Sequence, residues 1–243
     1  MIQTIDDIVE RQLIRWHSER ESVTNLYHKR HRPTPVITIS RLLGSGASEI
    51  AKAVAREMNC ELVGIRIMDE IAIQSNTGKA LVDAMDERVN SQLKEWIDKV
   101  IHSRETFDAS LHQHHLFKII NYFMQMGNVV LLGRGAGFLP RTRPRLDVRI
   151  VAPDKFRIRR IMKLQHCSEK AAMRILNESD TGRTQFVQQI FNEDWWDTRR
   201  YDLVINTASI RIEGSVAMIK AAWADMANAV LDIEASAPVT ARS

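Results

Sequence analysis

An α/β fold built on a doubly wound, mostly parallel five-stranded sheet is predicted by three features of this sequence. Several short runs of β-branched and aliphatic residues are too apolar to be strands with one wet face. Helical patterns separate several of them. The first run ends in a glycine turn that opens a helix.

The elements follow in order. Residues 4 to about 28 carry an apolar stripe at helical spacing, Ile5, Ile8, Val9, Leu13 and Trp16, and His28 to Pro35 break it with charge and two prolines. Residues 1–35 therefore read as an N-terminal helix and basic linker. Val36-Ile-Thr-Ile-Ser40 is the first strand and Ser48 to Met58 the helix after it. Further strands are expected at Glu61–Gly64, Asn128–Gly133, Asp147–Val151 and Tyr201–Asn206. Residues 76–126 lack a strong strand and read as a helical insertion over the ligand crevice. Residues 36–233 form the main domain, and 234–243 a frayed tail.

Composition narrows the class. The chain has 243 residues, 44% of them hydrophobic, enough for one substantial core. Its 34 Lys+Arg against 30 Asp+Glu give a net charge of +4, with basic residues gathered at 29–32, 141–145, 157–160 and 199–200. Such clusters suit phosphates or are solvated surface. No aromatic interleaving or nucleic-acid motif argues for a polynucleotide partner. Cys60 and Cys167 stand far apart and are expected as reduced thiols. Early acidic residues, no basic leader and no apolar run of about 20 residues argue against secretion and a membrane partner, so a cytoplasmic location is expected.

The chemistry concentrates where strands end, because open parallel sheets bind ligands beyond their carboxyl ends. After the first strand come Gly44-Ser-Gly-Ala-Ser48, a loop whose backbone N–H groups and helix amino terminus suit a phosphate. Ser48 offers a hydroxyl for a phosphate or for a hydrated Mg2+ ion. The usual phosphate loop ends in lysine followed by serine or threonine, and here the lysine position holds Ala47. Arg41, at the other end of the loop, is the expected source of the missing charge. Arg134, just past the third apolar run in Gly133-Arg-Gly135, can grip two phosphate oxygens at once. His112, His114 and His115 do not complete a metal-ligand set. Trp195 and Trp196 read either as a core cap or as an interface between copies of the chain.

Several stretches together resemble the cytidylate kinase-like family. They are Ile37 to Ala51, Met68-Asp-Glu70, Val130 to Ala136, Arg157 to Met162, Asp180-Thr-Gly-Arg183 and Tyr201 to Thr207, in the family's order over about residues 36 to 220. The resemblance implies a P-loop nucleoside-monophosphate-kinase fold, with ATP as phosphoryl donor, Mg2+, and a nucleoside monophosphate such as cytidine monophosphate as acceptor. Cytidylate kinases proper have lysine where this chain has Ala47, whereas family members commonly lack it and share the Ser40-Arg41 start.

The resemblance also implies roles. Gly44, Ser45, Gly46, Ala47 and Ser48 hold donor phosphates. Asp69, Arg134, Asp180 and Arg183 bind the acceptor. Residues 157–197 form a lid whose Arg157 and Arg160 join Arg41 and Arg134 in stabilising the transferred group. Asp180 and Arg183 are equally spaced for a surface ion pair. Two other readings compete: a nucleotide-binding regulatory protein impaired in transfer, and a non-enzymatic oligomeric scaffold.

Overall fold

The computed structural model describes residues 33–64 and 107–236. Strand β1 (Val36–Arg41) leads through the glycine loop to helix α1 (Ala47–Glu57) and strand β2 (Glu61–Gly64). Helix α2 (Phe107–Met126), strand β3 (Val129–Leu132) and strand β4 (Leu146–Val151) follow. Helices α3 (Asp154–Gln165) and α4 (Glu169–Phe191), strand β5 (Leu203–Asn206) and helix α5 (Ile212–Ser236) complete the described chain.

All four strand pairings are parallel, in the order β2-β3-β1-β4-β5. Because successive side chains alternate across a strand, the sheet feeds two cores. Val36, Val129 and Leu131 pack with Phe117, Ile120 and Phe123 of α2 on one face. On the other, Ile37, Ile39, Val130 and Val148 meet α1 and α5 through Ile50, Val54, Ile219 and Trp223. Burial on both faces explains why the strand runs show so little polar alternation.

Residues 107–126, expected as the end of an insertion over the crevice, instead form the helix that covers one face of the sheet. Leu116, Phe117, Ile119, Ile120 and Phe123 are all buried there, and that apolar stripe docks on β3. The N-terminal helix, residues 76–106 of the insertion and the end of the tail lie outside the described residues. Among the described residues no helix is long and apolar enough to cross a membrane.

Strand β4 hides a polar stripe. Leu146, Val148 and Ile150 face one core, while Asp147 and Arg149 point to the opposite face and are also buried. Asp147 accepts hydrogen bonds from Thr38 at 2.6 Å, Arg141 at 2.8 Å and Arg145 at 3.0 Å. Arg145 also donates to the Gly137 and Leu139 carbonyls, and Arg143 to Thr34, Met124 and Gln125. The basic run 141–145, read from sequence as a phosphate-focusing or solvated cluster, is tied into the fold, with Arg145 buried, Arg143 half-buried and Arg141 exposed but paired with Asp147 and Asp202. Its alternating arginines reach one buried carboxylate and several loop carbonyls, a long-range pairing invisible in the linear charge pattern.

Candidate functional site: two cavities that share an arginine

The loop after β1 is shaped by two glycines in the left-handed region, Gly44 at φ 78° and Gly46 at φ 83°. Gly46 caps α1, whose first N–H groups have no helical carbonyl to meet; the first loop-to-helix bond is Ile50 N–H to the Gly46 carbonyl. The amides of Ala47 and Ser48 are therefore available to an anion, and the Ser48 side chain is exposed.

Ser45 differs. Its N–H and its hydroxyl both donate to the Leu42 carbonyl, at 3.2 and 2.7 Å, and its carbonyl accepts from Thr207 Oγ1 at 2.7 Å. Ser45 braces the loop instead of offering donors to a ligand. Ala47 is buried against the α1 core cluster, so no cation arises from that position.

Gly44 has no room for a side chain: a Cβ there would lie 2.8 Å from the Arg157 carbonyl oxygen. Left-handed strain and this clash together predict that Gly44→Ala destabilises the domain by about 2 kcal/mol. Urea denaturation measures it, and a midpoint equal to wild type would show that the loop is not held as described.

Arg157 explains why the loop lies so close. It is 1% exposed, donates from Nε to the Leu43 carbonyl at 2.8 Å, and grips Asp180 with two hydrogen bonds of 2.7 and 2.8 Å. Expected in a mobile cover, Arg157 is placed beneath the loop, tying it to α4. Asp180 turns toward Arg157, and its contact with Arg183 is longer, 3.8 Å. Neither Arg157 nor Asp180 lines either of the two cavities described next.

Two cavities open at the carboxyl ends of the strands. The first, about 350 Å³, is bounded by Ser40, Arg41, Arg134 and Arg183, with Phe138, Phe186 and Trp195 as apolar walls. The second, about 180 Å³, is the glycine loop itself, closed on one side by Arg160 and Leu164 of α3. Arg41 lines both. Arg160 lies over Gly46 and pairs with Glu49 at 2.5 Å.

The electrostatics are lopsided. Among the described residues no carboxylate pairs with Arg41. Burial first, then the Arg183 and Arg134 guanidiniums, pull its pKa down to about 10. Arg183 is also lowered, mainly by burial, with Asp180 opposing and Arg157 and Arg149 reinforcing the shift. Arg134 occupies the left-handed region at φ 51° between Gly133 and Gly135, a costly conformation that turns it into the first cavity. Gly135 is obligatory there, since a Cβ would sit 2.4 Å from the Phe191 ring.

The structure thus brings together Arg41, Arg134 and Arg183 at one cavity, and Arg41, Gly44, Gly46, Ala47, Ser48 and Arg160 at the other. It does not bring Arg157 or Asp180 to either, and Asp69 lies outside the described residues. Sequence reasoning passed over Trp195 as a pocket wall, and Phe138, Phe186 and Glu49 altogether. Only the meeting of α4 with the β1 and β3 ends reveals the pocket aromatics.

A doubly wound sheet with a glycine loop at the amino terminus of α1 and clustered arginines beyond β1 and β3 defines a P-loop kinase-like protein. The model of the cytidylate kinase-like family matches residues 36–209, and the chain belongs to that family. It is 27% identical over 191 residues to a cytidylate kinase of Methanocaldococcus jannaschii, covering 77% of this chain and 96% of the relative. A cytidylate kinase of Pyrococcus horikoshii is 29% identical over 189 residues, 77% of this chain and 87% of that one. The fold is shared with the crystal structure of an uncharacterised protein from Eubacterium ventriosum, with a TM-score of 0.63, 20% identity, and coverage of 79% of this chain and 99% of that one. Family membership supports a kinase-like, phosphotransferase role in general.

Proposed function

We propose that the chain transfers the terminal phosphoryl group of ATP to a nucleoside monophosphate, with cytidine monophosphate the first acceptor to test. The observation that carries this reading is Arg41, a guanidinium with no carboxylate partner among the described residues, which lines both the glycine loop and the adjoining arginine-rich cavity. An oxygen of the acceptor phosphate attacks the γ-phosphorus as the bond to the β,γ-bridging oxygen breaks, leaving ADP and a nucleoside diphosphate. No protein nucleophile is needed; alignment and charge neutralisation do the work.

In this reading the Ala47 and Ser48 amides cradle the donor phosphates, and Gly44 and Gly46 let them approach. Arg160 approaches from α3 after exchanging Glu49 for phosphate. Arg134 and Arg183 hold the acceptor phosphate, while Arg41 contacts the group in flight. The exposed Ser48 hydroxyl, at the loop's edge, fits a ligand to Mg2+ bound with ATP. When bound, that ion would offset the negative charge of the phosphates.

The test incubates purified protein with MgATP and a panel of nucleoside monophosphates and follows both products. Equal amounts of ADP and nucleoside diphosphate are expected, with Arg134→Ala raising the acceptor KM by about tenfold or more and leaving the ATP KM within about twofold. ATP consumption without a nucleoside diphosphate overturns the reading. ATP binding without any turnover supports the regulatory alternative, which the buried Ala47 at the lysine position favours. Absence of any nucleotide protection against heat supports the scaffold.

A further inference from the structure

Arg149, in the middle of β4, is 2% exposed, and among the described residues it has no carboxylate partner. Its Nη1 donates to the Trp195 carbonyl and, at 2.8 Å, to the Tyr201 hydroxyl. The guanidinium carbon lies 4.3 Å from the Trp195 ring centre, 5.2 Å from Trp196 and 5.1 Å from Tyr201. Among the described residues its buried Nη2 has no hydrogen-bond partner.

A buried cation without an anion is expensive, and an aromatic box offsets only part of that cost. Replacing such a group by an apolar one of similar size is often neutral or stabilising. The groups Arg149 serves would survive its loss, because the Tyr201 hydroxyl also donates to the Trp195 carbonyl at 3.3 Å. Packing and hydrogen bonding of the wall therefore give no sufficient reason for a charge here.

Position gives one. Arg149 is the register neighbour of Ser40, and Ser40 and Trp195 both line the first cavity. Arg149 also repels Arg183, which lines the same cavity. A fourth guanidinium thus stands behind the wall of a pocket that already presents three. In a water-poor setting its field reaches an anion in the cavity with little screening.

We infer that Arg149 is a positioning residue for the acceptor, whose buried charge behind the Trp195–Tyr201 wall strengthens binding of the phosphate group held by Arg134 and Arg183. The inference rests on the acceptor reading of that cavity. Without an anion the charge is a cost to the fold and repels Arg183; its favourable effect comes only when an anion binds, so the gain is read in ligand affinity.

Calorimetric titration of wild type, Arg149→Met, Arg149→Gln and Arg149→Lys with cytidine monophosphate and with inorganic phosphate tests it, with ATP as the control. The neutral variants are expected to weaken both anions by about tenfold, Arg149→Lys to stay within about threefold of wild type, and ATP affinity to hold in all. If Arg149→Met does not fold, the Gln and Lys pair still separates charge from hydrogen bonding. Neutral variants that bind like wild type overturn the role of Arg149 and leave the acceptor reading standing. Equal weakening in the Lys variant, together with a lower melting temperature, shows a structural role and overturns it too. Wild-type protein that binds neither probe overturns the acceptor reading and this inference with it.

Discussion

Arg41→Ala is expected to lower kcat for phosphoryl transfer by about 10²- to 10³-fold while leaving the melting temperature of the unliganded protein unchanged or raised. The catalytic size follows from removing one fixed donor aimed at developing charge. The direction on stability follows from crowding: burial, Arg183 and Arg134 depress the Arg41 pKa to about 10. At neutral pH the group is protonated in both folded and unfolded chains, and the folded state bears an unfavourable contribution. That contribution is present below about pH 10 and is relieved as pH rises through that value, because the folded chain then releases its proton before the unfolded one does. Removing the guanidinium removes it at pH 7. Paired activity and thermal-shift measurements check both halves. A variant with near wild-type kcat would sink the idea that Arg41 links the two cavities.

Asp147→Ala is expected to cost about 3–5 kcal/mol, the range for leaving a buried ion-pair partner uncompensated. Asp147 is 1% exposed and Arg145 is 3% exposed, so the stranded guanidinium has no route to water. Thr38 would lose its acceptor, and Arg141 would keep only Asp202. For a domain of this size the loss corresponds to a fall in melting temperature on the order of 10 °C. Calorimetry decides it, and a shift of only one or two degrees would mean that Arg145 finds other partners. A double replacement, Asp147→Ala with Arg145→Met, is expected to recover much of the loss.

The contrast between these two arginine clusters is instructive. Around Asp147 the cations are satisfied and the network holds β1, β4 and the loop after β3 together. Around Arg41 no described carboxylate pairs with the central guanidinium, and burial beside Arg183 and Arg134 costs stability, as the proposed phosphate site would require. Both clusters are arginine-rich in the sequence. Only the presence or absence of a long-range carboxylate separates scaffold from site.

Strand positions were legible because β1, β3 and β4 carry β-branched or aliphatic runs flanked by turn residues, and such runs can be satisfied only by a sheet covered on both faces. The glycine loop was legible too, since a strand, two close glycines and an amphipathic helix form a local signal. The linear order of Arg41, Gly44, Gly46, Ser48, Arg134 and Arg183 follows from these motifs. What depended on tertiary structure were the partners of each charge. Arg157 and Asp180 are 23 residues apart and close into a pair only because α3 folds back on α4. Arg141, Arg143 and Arg145 find their partners only in the fold, where β4, the end of α2 and nearby loops present oxygens to them.

Local propensity and hydrophobic period are properties of neighbouring residues, so the sequence by itself determined the strands, the glycine loop and the family's order of motifs. A side chain's electrostatic fate depends on what stands a few ångströms away in space, which here includes residues 109 positions apart, as for Thr38 and Asp147. Tertiary structure alone therefore decided that Ser45 braces the loop, that Arg157 anchors it, and that Arg41 stands between two cavities with no carboxylate partner among the described residues.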